Sequence, residues 1–357
     1  MIRVLHVFHE MSNGGIEHFV MDYYRNIDRS CIQFDFLVSV DADGYFDEEI
    51  KKLGGKIYHA YPFKKNPIKN FCDIAKIVKE NNYQIIHRHT GSAFGYFDLK
   101  AAKFGGAMCL IMHSHNNQAG NMIVHRIANI FLKVPCHKLA CSKEAGEWLF
   151  GKNAKFSIVN NAINSQAYEF NDSERQKYRK IYGLSDRFVV GHVGRLEEQK
   201  NHRFLLQIFK SILDIKNNAV LVLVGDGSLM AEIKSEAKSK GIINNIIFMG
   251  SQQETSNLYN MFDVFVLPSK YEGFGITLLE AQTNGLCCFA SSKVVPQTVN
   301  ITGNVKYISL EEEPKKWAEE ILSFCDRKDV TLDIIRQAGF DISENAKQLS
   351  DYYKSLI

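Results

Sequence analysis

Two carboxylates and two cations carry the most chemical information in this sequence. Glu272 and Glu280 flank the glycine-rich stretch KYEGFGITLLE at 270–280, which follows the apolar run DVFVLPS and leads into a helical pattern. A strand, a glycine turn and a helix in that order form a phosphate-binding arrangement. Gly273 and Gly275 let the backbone approach a ligand closely, and the first helical N–H groups have no intrahelical partner and lie at the positive end of the macrodipole. Arg195 and Lys200 stand in VGRLEEQKN at 193–201, again between a strand end and a helix. A cation pair there could clamp two phosphates, each charge-assisted hydrogen bond contributing roughly 1.5–3 kcal/mol, and could stabilise charge developing on a leaving group. A wholly helical path would hold Glu272 and Glu280 ~12 Å apart, beyond the ~5 Å of a retaining glycosidase pair. They are therefore expected to contact different parts of one extended ligand. Taken singly, each segment also fits a surface turn bearing solvated charges.

Other segments are less specific. LVLVGDG ends a strand with Gly225, Asp226 and Gly227 but lacks the G-x-G-x-x-G order, so it supports a dinucleotide only weakly. In HVFHEMSNGGIEHFV, Gly14 and Gly15 separate the first strand from an amphipathic helix, where a loop could close over a ligand or simply turn the chain. Ten of the twelve histidines lie in the first half, with His87 and His89 in IIHRHT and His113 and His115 in CLIMHSHNN at strand ends. Ligands of open α/β sheets bind at those carboxyl ends, so a polar active-site wall is expected. A His-only metal site is conceivable, but no HExxH or carboxylate pattern accompanies them, so a metal is not the expectation.

These residues need a scaffold, and 357 residues suffice for about two ordinary domains. The composition, 45% hydrophobic and 23% charged, is that of a folded globular chain. Short runs rich in Val, Ile, Leu and Phe alternate with helix-period segments almost throughout, which implies α/β architecture with parallel sheets covered on both faces. The first series of strands falls near 2–8, 34–40, 56–60, 84–88, 109–113, 137–141 and 156–160. The second falls near 188–194, 219–224, 245–249, 263–267 and 286–290, with NVKYIS as an edge strand. Residues 165–184, charged and poor in β-branched types, read as an interdomain linker and connecting helix. The expected domains are 1–165 and 166–340, both Rossmann-like, with a helix at 341–357 crossing back to the first.

Phe204, Leu205, Ile208, Phe209, Ile212 and Leu213 recur at helical spacing and read as core. Residues 120–134 form an amphipathic pattern, with Ile123, Ile127, Ile130, Phe131 and Val134 opposite His125, Arg126, Asn129 and Lys133. Packing of the apolar side on its own sheet is the default, and docking at a membrane surface the alternative.

The net charge of +3 is uneven, with 20 Lys and Arg against 15 Asp and Glu in residues 1–165 and 23 against 25 beyond. The basic half suits an anionic surface or acceptor, and no nucleic-acid partner is expected. The eight cysteines have no C-x-x-C spacing, which argues against zinc or redox chemistry and suits buried thiols in a reducing cytosol. The opening IRVLHVF lacks the order of a signal peptide, and no apolar run approaches the ~18 residues of a membrane span. A cytoplasmic location is expected.

Together these segments resemble glycosyltransferase family 4, retaining enzymes of the GT-B fold, along nearly the whole chain. The E-x7-E signature stands as Glu272 and Glu280 around GFG, supported by GRL with Lys200, by VGDG, by GG-x-E at 14–17 and by NNAIN at 160–164. HSHNN, VNITGNVKYISL and AGFDISENAKQL are similar to the branch that builds bacterial exopolysaccharide and capsule repeat units. The resemblance implies two Rossmann-like domains facing across a cleft. It implies that Arg195 and Lys200 hold the donor's diphosphate, Glu280 the ribose hydroxyls, Glu272 the donor sugar, and the backbone of Phe274 to Ile276 the phosphates. Gly15 would belong to the loop that closes on the donor, Ser251 to the base pocket, and His115, with His113 as the fallback, would be the active-site histidine. No cofactor is implied beyond the nucleotide-sugar substrate, and no metal. The expected reaction is retaining transfer of a hexose, from UDP foremost, to a glycan or polyprenyl-linked glycan, with peripheral association at the inner membrane face. Gln297 and Thr298 follow Pro296 where relatives often carry Glu, which bears on acceptor and sugar choice. Rival readings are a nucleotide-sugar epimerase of the same architecture and a non-catalytic partner subunit of a transferase complex.

Overall fold

The computed structural model describes residues 1–116, 122–323 and 326–357, which form two compact units. Unit 1 comprises Met1–Ala162 and Asp341–Ile357, and unit 2 comprises Ile163–Phe340. Unit 1 is built on strands β1 (Ile2–Val7), β2 (Ile32–Val38), β3 (Ile57–His59), β4 (Ile85–Thr90), β5 (Cys109–Ser114), β6 (His137–Ala140) and β7 (Ser157–Ile158). Unit 2 is built on β8 (Phe188–Val193), β9 (Ala219–Val224), β10 (Ile246–Gly250), β11 (Val264–Leu267), β12 (Cys287–Ser291) and β13 (Val305–Ile308). Unit 1 carries helices α1 (Gly15–Asn26), α2 (Asp47–Lys52), α3 (Pro67–Glu80), α4 (Gly95–Phe104), α5 (Met122–Phe131) and α6 (Lys143–Phe150). In unit 2 follow α7 (Asp172–Ile181), α8 (His202–Ile215), α9 (Met230–Ser239), α10 (Ile276–Thr283), α11 (Pro314–Ser323) and α12 (Leu332–Gln337), and α13 (Ile342–Lys354) returns to unit 1.

The strand orders are β3-β2-β1-β4-β5-β6-β7 and β10-β9-β8-β11-β12-β13, and all pairings between these strands are parallel. Both sheets are doubly wound, so the direction of winding reverses between β1 and β4 and between β8 and β11. Loops leaving the carboxyl ends of those strands diverge and open a crevice, the usual ligand site of such sheets. Burial on both faces explains the near-continuous apolar strands: β8, β9, β11 and β12 are buried at every residue.

The stripe at 204–213 forms core as expected, with Leu205, Ile208, Phe209 and Ile212 fully buried in one cluster with β9 and β11. Helix α13 packs on α1 through Ile342, Ala346, Leu349 and Tyr353, and Asp341 caps its N-terminus by accepting from Ser343 N and Glu344 N. Residues 165–184 contain the expected connecting helix as α7, which packs within unit 2. Arg175 reaches Asp263 and the carbonyls of Asn260 and Phe262, while Arg179 reaches Asp263 and the carbonyl of Met261. Charge in this segment serves that buried network.

Helix α5 departs in part from expectation. Its side chains described from His125 onward bury His125 and Ala128, and Asn129 donates to the carbonyl of Leu149, whereas Ile127, Ile130 and Phe131 are 51%, 74% and 74% exposed. Residue 120 lies outside the described residues, as do the Ile123 side chain, Asn117 of HSHNN and Cys325. No helix among the described residues is long and apolar enough to cross a membrane.

Candidate functional site

In unit 2 the crevice at the β8–β11 reversal brings the two predicted motifs together. Residues 194–201 leave the end of β8 and residues 268–275 leave the end of β11, strands paired through Val190–Val264 and Gly191–Phe265. Three backbone bonds hold the first loop against the end of β9: Gly194 N to Val224 O at 2.9 Å, Leu196 N to Asp226 O at 2.9 Å, and Leu229 N to Leu196 O at 3.0 Å. This packing needs the VGDG glycines. A Cβ on Gly225, where φ is +131°, would fall 2.2 Å from Gly194 O, and one on Gly227 would fall 2.5 Å from Leu196 O. Arg195 is thereby fixed in backbone position while its side chain stays exposed, with no hydrogen bond or ion pair to any described residue.

Lys200 and Glu272 meet across the two loops, Nζ to Oε1 at 2.6 Å, with side chains 14% and 6% exposed. Glu272 also accepts from Ser269 Oγ at 2.7 Å. Three residues later, Gly275 adopts φ +87°, ψ 54° and caps α10, a left-handed conformation that a side chain would strain. Its carbonyl accepts from Leu278 N, and the preceding N–H groups of the turn remain available to an anion at the start of α10. An added Cβ at Gly273 would meet only open space, so there the glycine leaves room rather than relieving a clash. Phe274 and Ile276 are partly buried, and the Phe274 ring lies 5.1 Å from that of Phe340.

Glu280, one turn into α10, occupies a different setting. It accepts from Tyr168 Oη at 3.0 Å and Tyr259 Oη at 2.5 Å, and burial next to this carboxylate drives the Tyr259 phenol well above its usual range. Sequence reasoning missed both tyrosines, since each belongs to a short 3-10 segment, 165–168 or 256–261, far away along the chain. Glu272 and Glu280 thus have separate partners, a cation for one and phenols for the other. Ser251 is exposed immediately after β10, beside Gly250, whose carbonyl accepts from Gly225 N at 2.8 Å.

A cavity of about 670 Å³ elsewhere in unit 2 is lined by Arg175, Asp263, Asn284 and Arg327 and includes none of the predicted donor residues. Its arginines are already committed to Asp263 and to backbone carbonyls.

Unit 1 places Gly15 at the exposed first position of α1, where an added Cβ would touch nothing. His115 follows β5, partly exposed, with its ring against Phe19 and its Nε2 2.9 Å from His89 Nδ1. Its fallback, His113, is fully buried and bonded to His87. Burial pushes the His115 imidazole down to about 3.

The chain matches the family model described as "Glycosyl transferases group 1" over residues 174–339, which spans both loops, α10 and Glu280. It is also 32% identical to the putative glycosyltransferase EpsF of Bacillus subtilis (strain 168), over 98% of this chain and 96% of that protein. The chain belongs to the group 1 glycosyl transferases. A second relative of this glycosyltransferase is the Escherichia coli UDP-Gal:alpha-D-GlcNAc-diphosphoundecaprenol alpha-1,3-galactosyltransferase, 29% identical over 66% of this chain and 63% of that one. Among solved structures, Anabaena Alr3699/HepE in complex with UDP and glucose superposes with a TM-score of 0.72 at 18% identity, covering 99% of this chain and 95% of that one. The two parallel-sheet units of this transferase are those of the GT-B fold.

Proposed function

We propose that this glycosyltransferase moves a hexose, with retention of anomeric configuration, from a nucleoside diphosphate to a glycan or lipid-linked glycan in bacterial surface polysaccharide synthesis. UDP is the favoured nucleotide, in keeping with the UDP-Gal of the Escherichia coli relative's name, and that relative's diphosphoundecaprenol acceptor motivates the lipid-linked class. The observation that carries the reading is the meeting of the Lys200 and Glu272 loops beside the exposed Arg195 and the start of α10.

The chemistry follows from charge. As the bond from the anomeric carbon to the diphosphate breaks, negative charge grows on the phosphate oxygens. Arg195, Lys200 and the N–H groups of Phe274 to Ile276 face that charge, without a metal. Glu272 then exchanges part of its bond to Lys200 for a sugar hydroxyl, and Glu280, oriented by two phenols, accepts the ribose hydroxyls. Ser251 belongs to the base pocket. The acceptor oxygen attacks the face from which the diphosphate departs, with no protein nucleophile.

Membrane contact belongs to the same reading. Helix α5 exposes Ile127, Ile130 and Phe131 beside the exposed Arg126 and Lys133, and Lys100 Nζ reaches the Phe131 carbonyl from α4, whose end exposes Lys103 and Phe104. The acid within 94–140 is Asp98, which is buried and paired with Arg88. An apolar and cationic face of this kind suits an anionic bilayer surface.

Product analysis tests the reading: purified chain, UDP-hexoses and a polyprenyl-diphosphate-linked sugar should yield an α-linked disaccharide from an α-linked donor. Glu272→Gln should abolish most turnover. Undiminished turnover in Glu272→Gln, Glu280→Ala and Arg195→Ala alike would remove the site assignment, and isomerised donor formed without acceptor would favour the epimerase.

A further inference from the structure

The structure of unit 1 contains a feature that a single active-site histidine does not account for: five buried or nearly buried histidines on one face of its sheet. His6 pairs in register with His87, and His89 with His113, while His89 and His115 each follow by two residues, so all five rings project to the same side. They form two hydrogen-bonded files. In one, His6 Nδ1 lies 2.9 Å from His89 Nε2, and His89 Nδ1 lies 2.9 Å from His115 Nε2. In the other, Tyr353 Oη lies 2.6 Å from His87 Nδ1, and His87 Nε2 lies 3.1 Å from His113 Nδ1.

A core needs no such rings. Phe or Leu would fill this space with no polar atom to satisfy, whereas His6 Nε2 and His113 Nε2 are buried with no partner among the described residues, and each such orphan costs about 1–3 kcal/mol. Imidazole in its neutral form has one ring nitrogen with a lone pair to give. His89, His113 and His115 each offer one ring nitrogen, and these atoms lie within 4.8 Å of one another.

We infer that His89, His113 and His115 form a binding site for one borderline-soft divalent transition cation, of which Zn²⁺ is the type. Three imidazoles are a sufficient zinc set when the fourth position is left to water or an anion. Nitrogens bound at about 2.0–2.1 Å in tetrahedral array stand roughly 3.3 Å apart, so the His89–His115 contact opens by a few tenths of an ångström as the cation takes the place of that hydrogen bond, His115 ligating through Nε2 and carrying its ring proton on Nδ1. His113 has Nε2 free to ligate, and its Nδ1 is held by His87. His89 ligating through Nδ1 keeps Nε2 on His6. Each of these ligands therefore already has the outer hydrogen bond that orients a metal-bound imidazole, and His115, the partly exposed member, supplies the route in. His6, His87 and Tyr353 are positioning residues in this account. The site stands on unit 1 alone and does not depend on the transferase reading.

Titration of metal-free full-length protein with Co²⁺, followed by competition with Zn²⁺, tests it. One equivalent should bind with the d–d absorption of a tetrahedral nitrogen-rich site and be displaced by Zn²⁺. His89→Ala should weaken binding at least a hundredfold and His6→Phe about tenfold, while His59→Gln, at an exposed histidine, changes nothing. A wild-type protein that binds no Co²⁺ at micromolar excess overturns the site, as do thiolate-to-cobalt charge-transfer bands in place of the nitrogen spectrum. Unchanged affinity in a folded His89→Ala variant does the same, and if that variant does not fold, the wild-type spectrum alone decides.

Discussion

Lys200 and Arg195 stand five residues apart on one loop, yet their surroundings demand opposite behaviour. Lys200 neutralises Glu272 in a nearly buried pair, so Lys200→Ala leaves a carboxylate without its cation and should destabilise unit 2 by about 3 kcal/mol. Arg195 is exposed and unpaired, and Arg195→Ala should change stability by less than about 0.5 kcal/mol. Urea midpoints of the two variants check this, and equal midpoints would contradict it. Tyr259 is a positioning residue for Glu280. Tyr259→Phe removes one charge-assisted bond and should weaken UDP binding about tenfold, measured by calorimetry with circular dichroism unchanged. Affinity equal to wild type would mean that Glu280 needs no such orientation. The glutamates, the cations and the glycine turn could be read from spacing because each lies in one short segment. Tyr168 and Tyr259 could not, since only the fold brings 165–168 and 256–261 to α10.

At the scale of elements, alternating apolar runs located the thirteen strands among the described residues, most of them apolar because they are buried on both faces. Periodicity located α8 equally well. It held only in part at 120–134, where Val134 is buried with His125 and Ala128 while Ile127, Ile130 and Phe131 are exposed: amphipathic spacing reports that two faces differ, not which one meets the sheet. At 165–184 the connecting helix was legible, but the inward bonding of its charges to Asp263 and backbone carbonyls was not, since those partners lie far along the chain. If the exposed face of α5 meets a bilayer, the full chain should sediment with vesicles containing anionic lipid, and Ile130→Glu with Phe131→Ser should abolish most of that binding while leaving stability unchanged. Equal sedimentation of wild type and variant would sink the proposal.

For the molecule as a whole, the buried histidines make stability depend on pH in a defined window. Burial lowers His6 and His115 to about 3 and His202 to about 4, and lowers His87, His89, His113 and His192 as well. Below about 6.5 the unfolded chain takes up protons that the folded chain refuses, so stability is full above that pH and falls as pH drops toward the folded values, by up to about 1.4 kcal/mol per pH unit for each histidine. With a chelator present, the urea midpoint should fall steeply between about pH 7 and 5, before carboxylates titrate, and a flat profile there would show that the rings protonate in place. The central claim is that unit 2 seats a nucleoside diphosphate on the Arg195 loop and the glycine turn before α10. Calorimetric titration of UDP into wild type and Arg195→Ala tests it most directly: one site is expected, with Kd at least tenfold weaker in the variant at unchanged stability, whereas identical affinity in the two proteins, or no binding to either, contradicts it.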